Sequence, residues 1–290
     1  MMTMEPVPSM PDHPGWGVLV VGMHRSGTSV ATEVLSRLGL STCTDPVQAD
    51  QWNPRGYWES MSLLSQNEHL LRRLGSTWSR PPTDVDFAAL GDELPGSAAR
   101  FATVHPASGW VWKDPRNCIL LPFWRRALSQ RLAVVLMLRH PIEIAASLAR
   151  RNHLSTEWSL ALWERYVRAA LVGAQALPVL VCWYERLLED PVRWTGDVVT
   201  FLTPHGFRAP AGHSKLIEGC VDPSLREADA GESDDAPLNT DHRRLLETLY
   251  ELSGPHAHFI PPPSNTESRS TRLFLFALSA RRRSSTSAHE

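Results

Sequence analysis

Lysine is almost absent from this chain. Of the 29 lysines and arginines among 290 residues, just Lys113 and Lys215 are lysine. Genomic base composition accounts for most of that bias, and it makes each lysine informative. Where arginine is the default cation, a lysine marks a position suited to a compact point charge rather than a planar fork. Cysteine is scarce too. Cys43, Cys118, Cys182 and Cys220 lie far apart, which fits neither a disulfide framework nor the paired spacing of a zinc site, so they read as reduced and structural. Long apolar runs are missing, and no stretch approaches the roughly 20 residues needed to span a bilayer. Residues 1–14 have no basic residue followed by an apolar run. They read as a disordered leader rather than a secretory signal, and a cytoplasmic enzyme is expected. The net charge of −2 supplies no large positive field, which argues against a general nucleic-acid binder.

What is present is a regular alternation of strand and helix signals. Trp16 to Gly22 is a short apolar run ending in glycine, as in a buried parallel strand. Val30, Val34, Leu35 and Leu38 then follow helical spacing up to Gly39. Residues 41–58 read as loop. Ser60 is placed to cap a helix to about Leu74. Further strands are expected at 110–113, 132–138 and 178–183. Pro141 stands where a helix has its first position. Such alternation implies an α/β fold, a P-loop-like parallel sheet with helices on both faces, over residues 15–254. Ligands of such folds bind beyond the carboxyl ends of the strands. Residues 255–290, rich in Pro, Ser and Arg, are expected to be disordered.

Two motifs fall at those strand ends. The first is Gly22-Met23-His24-Arg25-Ser26-Gly27-Thr28-Ser29, a loop running directly into a helix. Its backbone N–H groups and the helix dipole suit an anion. The spacing is P-loop-like, but Thr28 stands where the lysine of that motif belongs, and the cation is Arg25. No apolar strand ends in an aspartate to hold magnesium. That weakens an ATP- and magnesium-dependent kinase, which is kept as an alternative beside a non-catalytic nucleotide-binding protein. The second motif is Arg139 at a strand end, followed by Ser147 and Arg151. Those two share a helical face at i,i+4. Two anion sites on one sheet edge fit a nucleotide with phosphates at both ends of its ribose.

These residues resemble the sulfotransferase family that uses 3′-phosphoadenosine 5′-phosphosulfate. The loop GMHRSGTS is similar to its 5′-phosphosulfate loop, and LRHPIEIAASLARR to its 3′-phosphate segment. Trp183 to Pro191 resembles its later YE-x-L-x-x-D-P block, which implies that Tyr184 lies near the nucleotide. Trp112-Lys113-Asp114-Pro115-Arg116 resembles the Lys-Asp-Pro block of the tyrosine-directed branch. Arg25 and that block bring the chain closer to the protein-tyrosine, carbohydrate and bacterial natural-product types. The resemblance covers roughly residues 16–205. It implies that Arg25, Ser26, Gly27, Thr28, Ser29, Arg139, Ser147, Arg151 and Tyr184 bind the donor, with Arg226 in a closing segment. No metal is required.

The same resemblance gives Lys113 and Arg25 to the transferring group and makes Glu59 the base. Its acceptor is a small molecule bearing a hydroxyl or amine. Glu59 also reads as a helix N-terminal carboxylate, and Lys113 as a salt-bridge partner of Asp114 or of a neighbouring carboxylate. His24 and His105 are rival bases, and His140 reads as part of the helix start before Pro141. Trp52, Trp58 and Trp78 hint at a wall for a sugar or aromatic ring. The acceptor and the oligomeric state are not encoded in any readable pattern.

Overall fold

The computed structural model describes residues 15–221, 237–263 and 266–286, with side chains to residue 278. Five strands form one sheet: β1 (Trp16–Val21), β2 (Trp110–Lys113), β3 (Arg131–Leu138), β4 (Val179–Trp183) and β5 (Gly254–His256). Their order is β2-β1-β3-β4-β5. The first four are parallel, and β5 pairs antiparallel with β4.

Continuous apolar runs become strands here because both faces of the sheet are covered. Successive side chains point to opposite faces. Val18, Val20, Ala133, Val135 and Met137 thus join one core, and Leu19, Val21, Val134 and Leu136 join the other. The first core is closed by α1 (Thr28–Arg37) and α8 (Pro191–Leu202) through Val34, Leu35, Val198 and Phe201. The second is closed mainly by α2 (Met61–Arg73), α4 (Asn117–Ala127), α5 (Pro141–Asn152) and α6 (Thr156–Gly173). The remaining helices are α3 (Leu94–Val104), α7 (Tyr184–Glu189), α9 (His213–Leu216), α10 (Thr240–Glu251) and α11 (Arg269–Thr286). An α/β fold with helices on both faces is therefore what the chain adopts. None of the described helices is long and apolar enough to cross a membrane.

Local signals set the helix starts. Ser60 accepts the Leu63 N–H at 3.1 Å and caps α2. Pro141 occupies the first turn of α5, where its missing N–H costs nothing. Residues 255–263 and 266–286 differ from the disorder their composition suggests. β5 adds to the sheet, Phe259 is fully buried, and α11 packs on α6. The physical reason is a buried carboxylate. Glu164 of α6 accepts from the Ser268 N–H at 2.8 Å, from Ser268 Oγ at 2.7 Å and from Arg168 Nε at 2.8 Å.

β1 lies between β2 and β3, so the chain leaves it to one side and later returns to the other. That is the switch point where α/β sheets open a crevice. The loops after β1, β2, β3 and β4 all meet there.

Candidate functional site

The loop after β1 is held in an uncommon shape. Arg25 and Gly27 both take left-handed backbone angles, with φ of 72° and 84°. For a non-glycine residue that costs on the order of 1 kcal/mol and persists when the surroundings over-determine it. Here Arg139 Nη1 donates to the Arg25 carbonyl at 3.0 Å, and Arg25 Nε donates to Ser147 Oγ at 2.8 Å. At Gly27 a Cβ would fall 2.2 Å from Cδ2 of Tyr184, so backbone angle and close approach both demand glycine. No side chain caps α1 at Gly27. The first N–H groups of a helix have no partner within it, and the residues at this helix start, Gly27, Thr28 and Ser29, line the crevice.

Ser26 departs from its expected place. Its Oγ is buried without a hydrogen-bond partner, within 2.5 Å of where a Gly22 Cβ would stand, and its N–H donates to the Met23 carbonyl. It shapes the turn and does not line the crevice.

The second cationic group adjoins the first. Arg139 is buried, bonded through Nε and Nη2 to Glu143 at 2.8 Å, and lies over the Tyr184 ring at 4.9 Å. Because Arg25 reaches Ser147 directly, the two anion sites read from the sequence are contiguous rather than separate. Arg151 lines the same crevice. It donates to Tyr57 Oη at 2.6 Å and stacks over that ring at 5.1 Å. Tyr57 Oη in turn donates to Asp50 at 2.7 Å. Burial and the Asp50 bond push the Tyr57 phenol up to about 12, so it keeps its proton.

Sequence reasoning missed this strap over the mouth. Asn53 Nδ2 donates to Ser29 Oγ at 3.1 Å, and Ser29 Oγ donates to the Tyr57 carbonyl at 3.3 Å. Arg55 pairs with Glu33 of α1. The turn residues Asn53-Pro54-Arg55-Gly56 signalled a loop, but nothing in them signalled these partners.

Lys113, at the end of β2, meets Glu59 at 2.6 Å; their side chains are 3% and 9% exposed. Of the two partners the sequence offers, a neighbouring carboxylate is taken and Asp114 is not. The Asp114 carboxylate accepts from the Arg116 N–H at 2.9 Å, from Arg116 Nη1 at 3.1 Å and from Asn67 Nδ2 at 2.9 Å. Arg116 also donates to Glu68 at 2.7 Å and lines the crevice. Glu59 precedes the Ser60 cap, and its bond to Lys113, not the helix dipole, fixes its carboxylate.

The three histidines separate clearly. His24 lines the crevice, with its ring 4.7 Å from Trp78 and 5.8 Å from Tyr166 between centroids. Burial, then the charges of Arg116, Lys113, Arg151 and Arg25, hold its imidazole well below the usual histidine range. It is therefore neutral at pH 7. His105 is away from the crevice, stacked on Phe101 at 4.8 Å, and burial lowers it to about 4. His140 opens α5, its N–H donating to Glu185 at 3.3 Å, and does not line the crevice. Arg226 lies outside the described residues.

The crevice has a volume of about 620 Å³. Arg25, Gly27, Thr28, Ser29, Glu59, Lys113, Arg139, Arg151 and Tyr184 all line it, as do Trp52, Trp58 and Trp78. Chemically it offers a helix N-terminus, several guanidinium groups and a lysine–carboxylate pair around one space.

Neither a family model nor a curated protein matches the sequence. Among solved structures, the chain is similar to the sulfotransferase domain from the Synechococcus PCC 7002 olefin synthase. Identity is 17%, coverage is 93% of this chain and 97% of that chain, and the TM-score is 0.40. It is also similar to the sulfotransferase domain from the curacin biosynthetic pathway. There identity is 15%, coverage is 92% and 99%, and the TM-score is 0.39.

Proposed function

We propose that this protein is a sulfotransferase. It moves a sulfuryl group from 3′-phosphoadenosine 5′-phosphosulfate to a hydroxyl or amine of a small natural product, carbohydrate or lipid. The observation that supports this reading best is a convergence. Arg25 meets Ser147 at 2.8 Å beside the same crevice that holds the Lys113–Glu59 pair.

In this reading the α1 N-terminus and Arg25 take the 5′ end of the donor. Arg139 and Arg151 take the 3′-phosphate, with Tyr184 packed beside them. Ser147, buried behind the crevice wall, positions Arg25 through its hydroxyl. The acceptor oxygen attacks sulfur while the bond from sulfur to the bridging oxygen breaks. Glu59 takes the acceptor proton, and Lys113 stabilises the charge that grows on the leaving oxygen. Positioning and fixed charge supply the rate, as in phosphoryl transfer.

Calorimetry with 3′-phosphoadenosine 5′-phosphate tests it. The nucleotide is expected to bind in the micromolar range without magnesium, and 5′-AMP at least about tenfold more weakly, a difference of ~1.4 kcal/mol. Equal affinities would remove the 3′-phosphate site. Magnesium-dependent phosphate transfer from ATP would make the protein a kinase instead.

A further inference from the structure

Helix α11 carries apolar residues on two sides. From Leu273 to Leu278 the sequence LFLFAL is apolar without a break. One side seats on the protein body. Thr271 and Leu275 are buried, Phe274 and Leu278 pack partly buried against the core, and Phe274 meets Trp158 of α6 edge-on at 6.5 Å. The start of the helix is pinned there too. Ser268 Oγ donates to Glu164 at 2.7 Å and accepts the Thr271 N–H at 3.2 Å, while Arg165 of α6 pairs with Glu267 at 2.7 Å. The other side is bare: Leu273 is 57% exposed and Phe276, one turn on, is 66% exposed. The remaining exposed large apolar side chains, Met61, Val172, Val192, Leu216, Tyr250 and Ile260, are spread one to a segment. Apolar residues scattered singly on a surface are ordinary, whereas a pair held on one turn of an anchored helix marks a contact surface.

Charge identifies the partner. No aspartate or glutamate lies between Glu267 and Glu290. The arginines of α11 are Arg269 and Arg272, both exposed, before the apolar pair, and Arg281, Arg282 and Arg283 after it. That is a strong local excess in a chain whose net charge is −2. A second copy of the helix would set the same positive charges against these, so the face does not suit self-association. An anionic bilayer surface satisfies both features at once, with acyl chains for Leu273 and Phe276 and headgroups for the arginines. A small apolar contact alone holds a protein to a membrane weakly, and a polybasic stretch supplies the second attraction that stable binding needs. α11 is not long and apolar enough to cross the bilayer, so it lies in the plane of the surface.

We infer that α11 is a membrane-surface helix that binds anionic phospholipid, with Leu273 and Phe276 entering the acyl boundary. None of its residues lines the crevice, so the inference stands apart from the proposed function.

The test is flotation of the full chain with vesicles, either phosphatidylcholine alone or phosphatidylcholine mixed with phosphatidylglycerol. Partition onto the anionic vesicles is expected to be at least about tenfold stronger and to fall steeply as salt is raised. Leu273→Ser with Phe276→Ser is expected to weaken it at least about tenfold. An unchanged Tm is the folding check for that variant, because both side chains are exposed. Arg281→Gln, Arg282→Gln and Arg283→Gln together are expected to remove the preference for phosphatidylglycerol. Absence of binding to either vesicle overturns the inference. Equal partition onto both overturns the charge argument. Undiminished binding by the serine variant would mean that charge acts alone, and overturns the insertion of Leu273 and Phe276. Dimerisation in sedimentation velocity in place of vesicle binding, lost in the serine variant, would make this face an interface between copies and overturn the assignment to lipid.

Discussion

Removing Glu59 alone is expected to harm the fold more than removing Glu59 and Lys113 together. The two groups meet at 2.6 Å and are almost fully buried. At an effective dielectric of 20 their attraction is about 6 kcal/mol. Taking both ions out of water costs several kcal/mol each, which cancels most of that gain. Glu59→Leu deletes the attraction and leaves the buried ammonium uncompensated, a loss of roughly 3–5 kcal/mol. Unfolding entropy near 2.1 cal/mol/K per residue then places the fall in Tm at about 7 °C for a chain of this size. Glu59→Leu with Lys113→Met removes both desolvation costs and is expected to recover most of the loss. The measurement is a double-mutant cycle by calorimetric melting and urea unfolding, with a coupling of at least about 3 kcal/mol, the upper end for groups in contact. Strictly additive losses would show that the pair is not electrostatically coupled. The conservative Glu59→Gln separates chemistry from folding: it is expected to keep nucleotide binding and lose turnover about 100-fold or more. Full turnover in that variant would remove Glu59 as the base.

The other expectations follow from single contacts. Arg139→Gln unties both Glu143 and the Arg25 carbonyl; calorimetry is expected to show the preference for the 3′-phosphorylated nucleotide over 5′-AMP collapse, and a uniform loss for both would contradict its assignment. Gly27→Ala places a methyl 2.2 Å from Tyr184 at a φ of 84°. It is expected to weaken nucleotide binding at least tenfold, while Gly196→Ala, whose Cβ meets nothing within 4 Å, raises stability by about 0.5–1 kcal/mol. Acid is expected to destabilise the fold in two steps. Burial lowers His105 to about 4 from an ordinary 6.5, so the unfolded chain binds its proton first. The stability this gives is full above pH ~6.5 and lost as pH falls toward 4, about 3 kcal/mol in all. Glu164 is pushed up by burial, but bonds from His242, Thr271 and Ser268 outweigh that and hold it at about 2. Its contribution, also about 3 kcal/mol, is full above pH ~4.5 and lost toward pH 2. His105→Phe should flatten the upper limb in urea titrations and leave the lower one. An unchanged upper limb would mean His105 is not buried as a neutral ring.

How legible each feature is in the sequence depends on how far apart its determinants lie. β1, β3 and β4 are readable because burial on both faces turns a strand into an unbroken apolar run. The starts of α2 and α5 are readable because Ser60 and Pro141 act within one turn. The glycine-containing loop after β1 is readable for the same reason, as glycine, hydroxyls and Arg25 sit within eight residues of each other. β5 and α11 are not readable: their Pro-, Ser- and Arg-rich composition suggests disorder, and what orders Ser268 is Glu164, 104 positions away. Lys113 and Glu59 are 54 positions apart, and only a resemblance, not spacing, placed both in one site. The strap is the hardest case. Tyr57 and Arg151 lie 94 positions apart, and no periodicity joins a loop tyrosine to a helical arginine. Even inside the motif, Ser26 shows the limit of pattern: the hydroxyl suits a phosphate, but the left-handed turns at Arg25 and Gly27 rotate it under Gly22. Short-range codes therefore locate the loop, and the contacts that close it become visible only once the sheet has brought its carboxyl ends together.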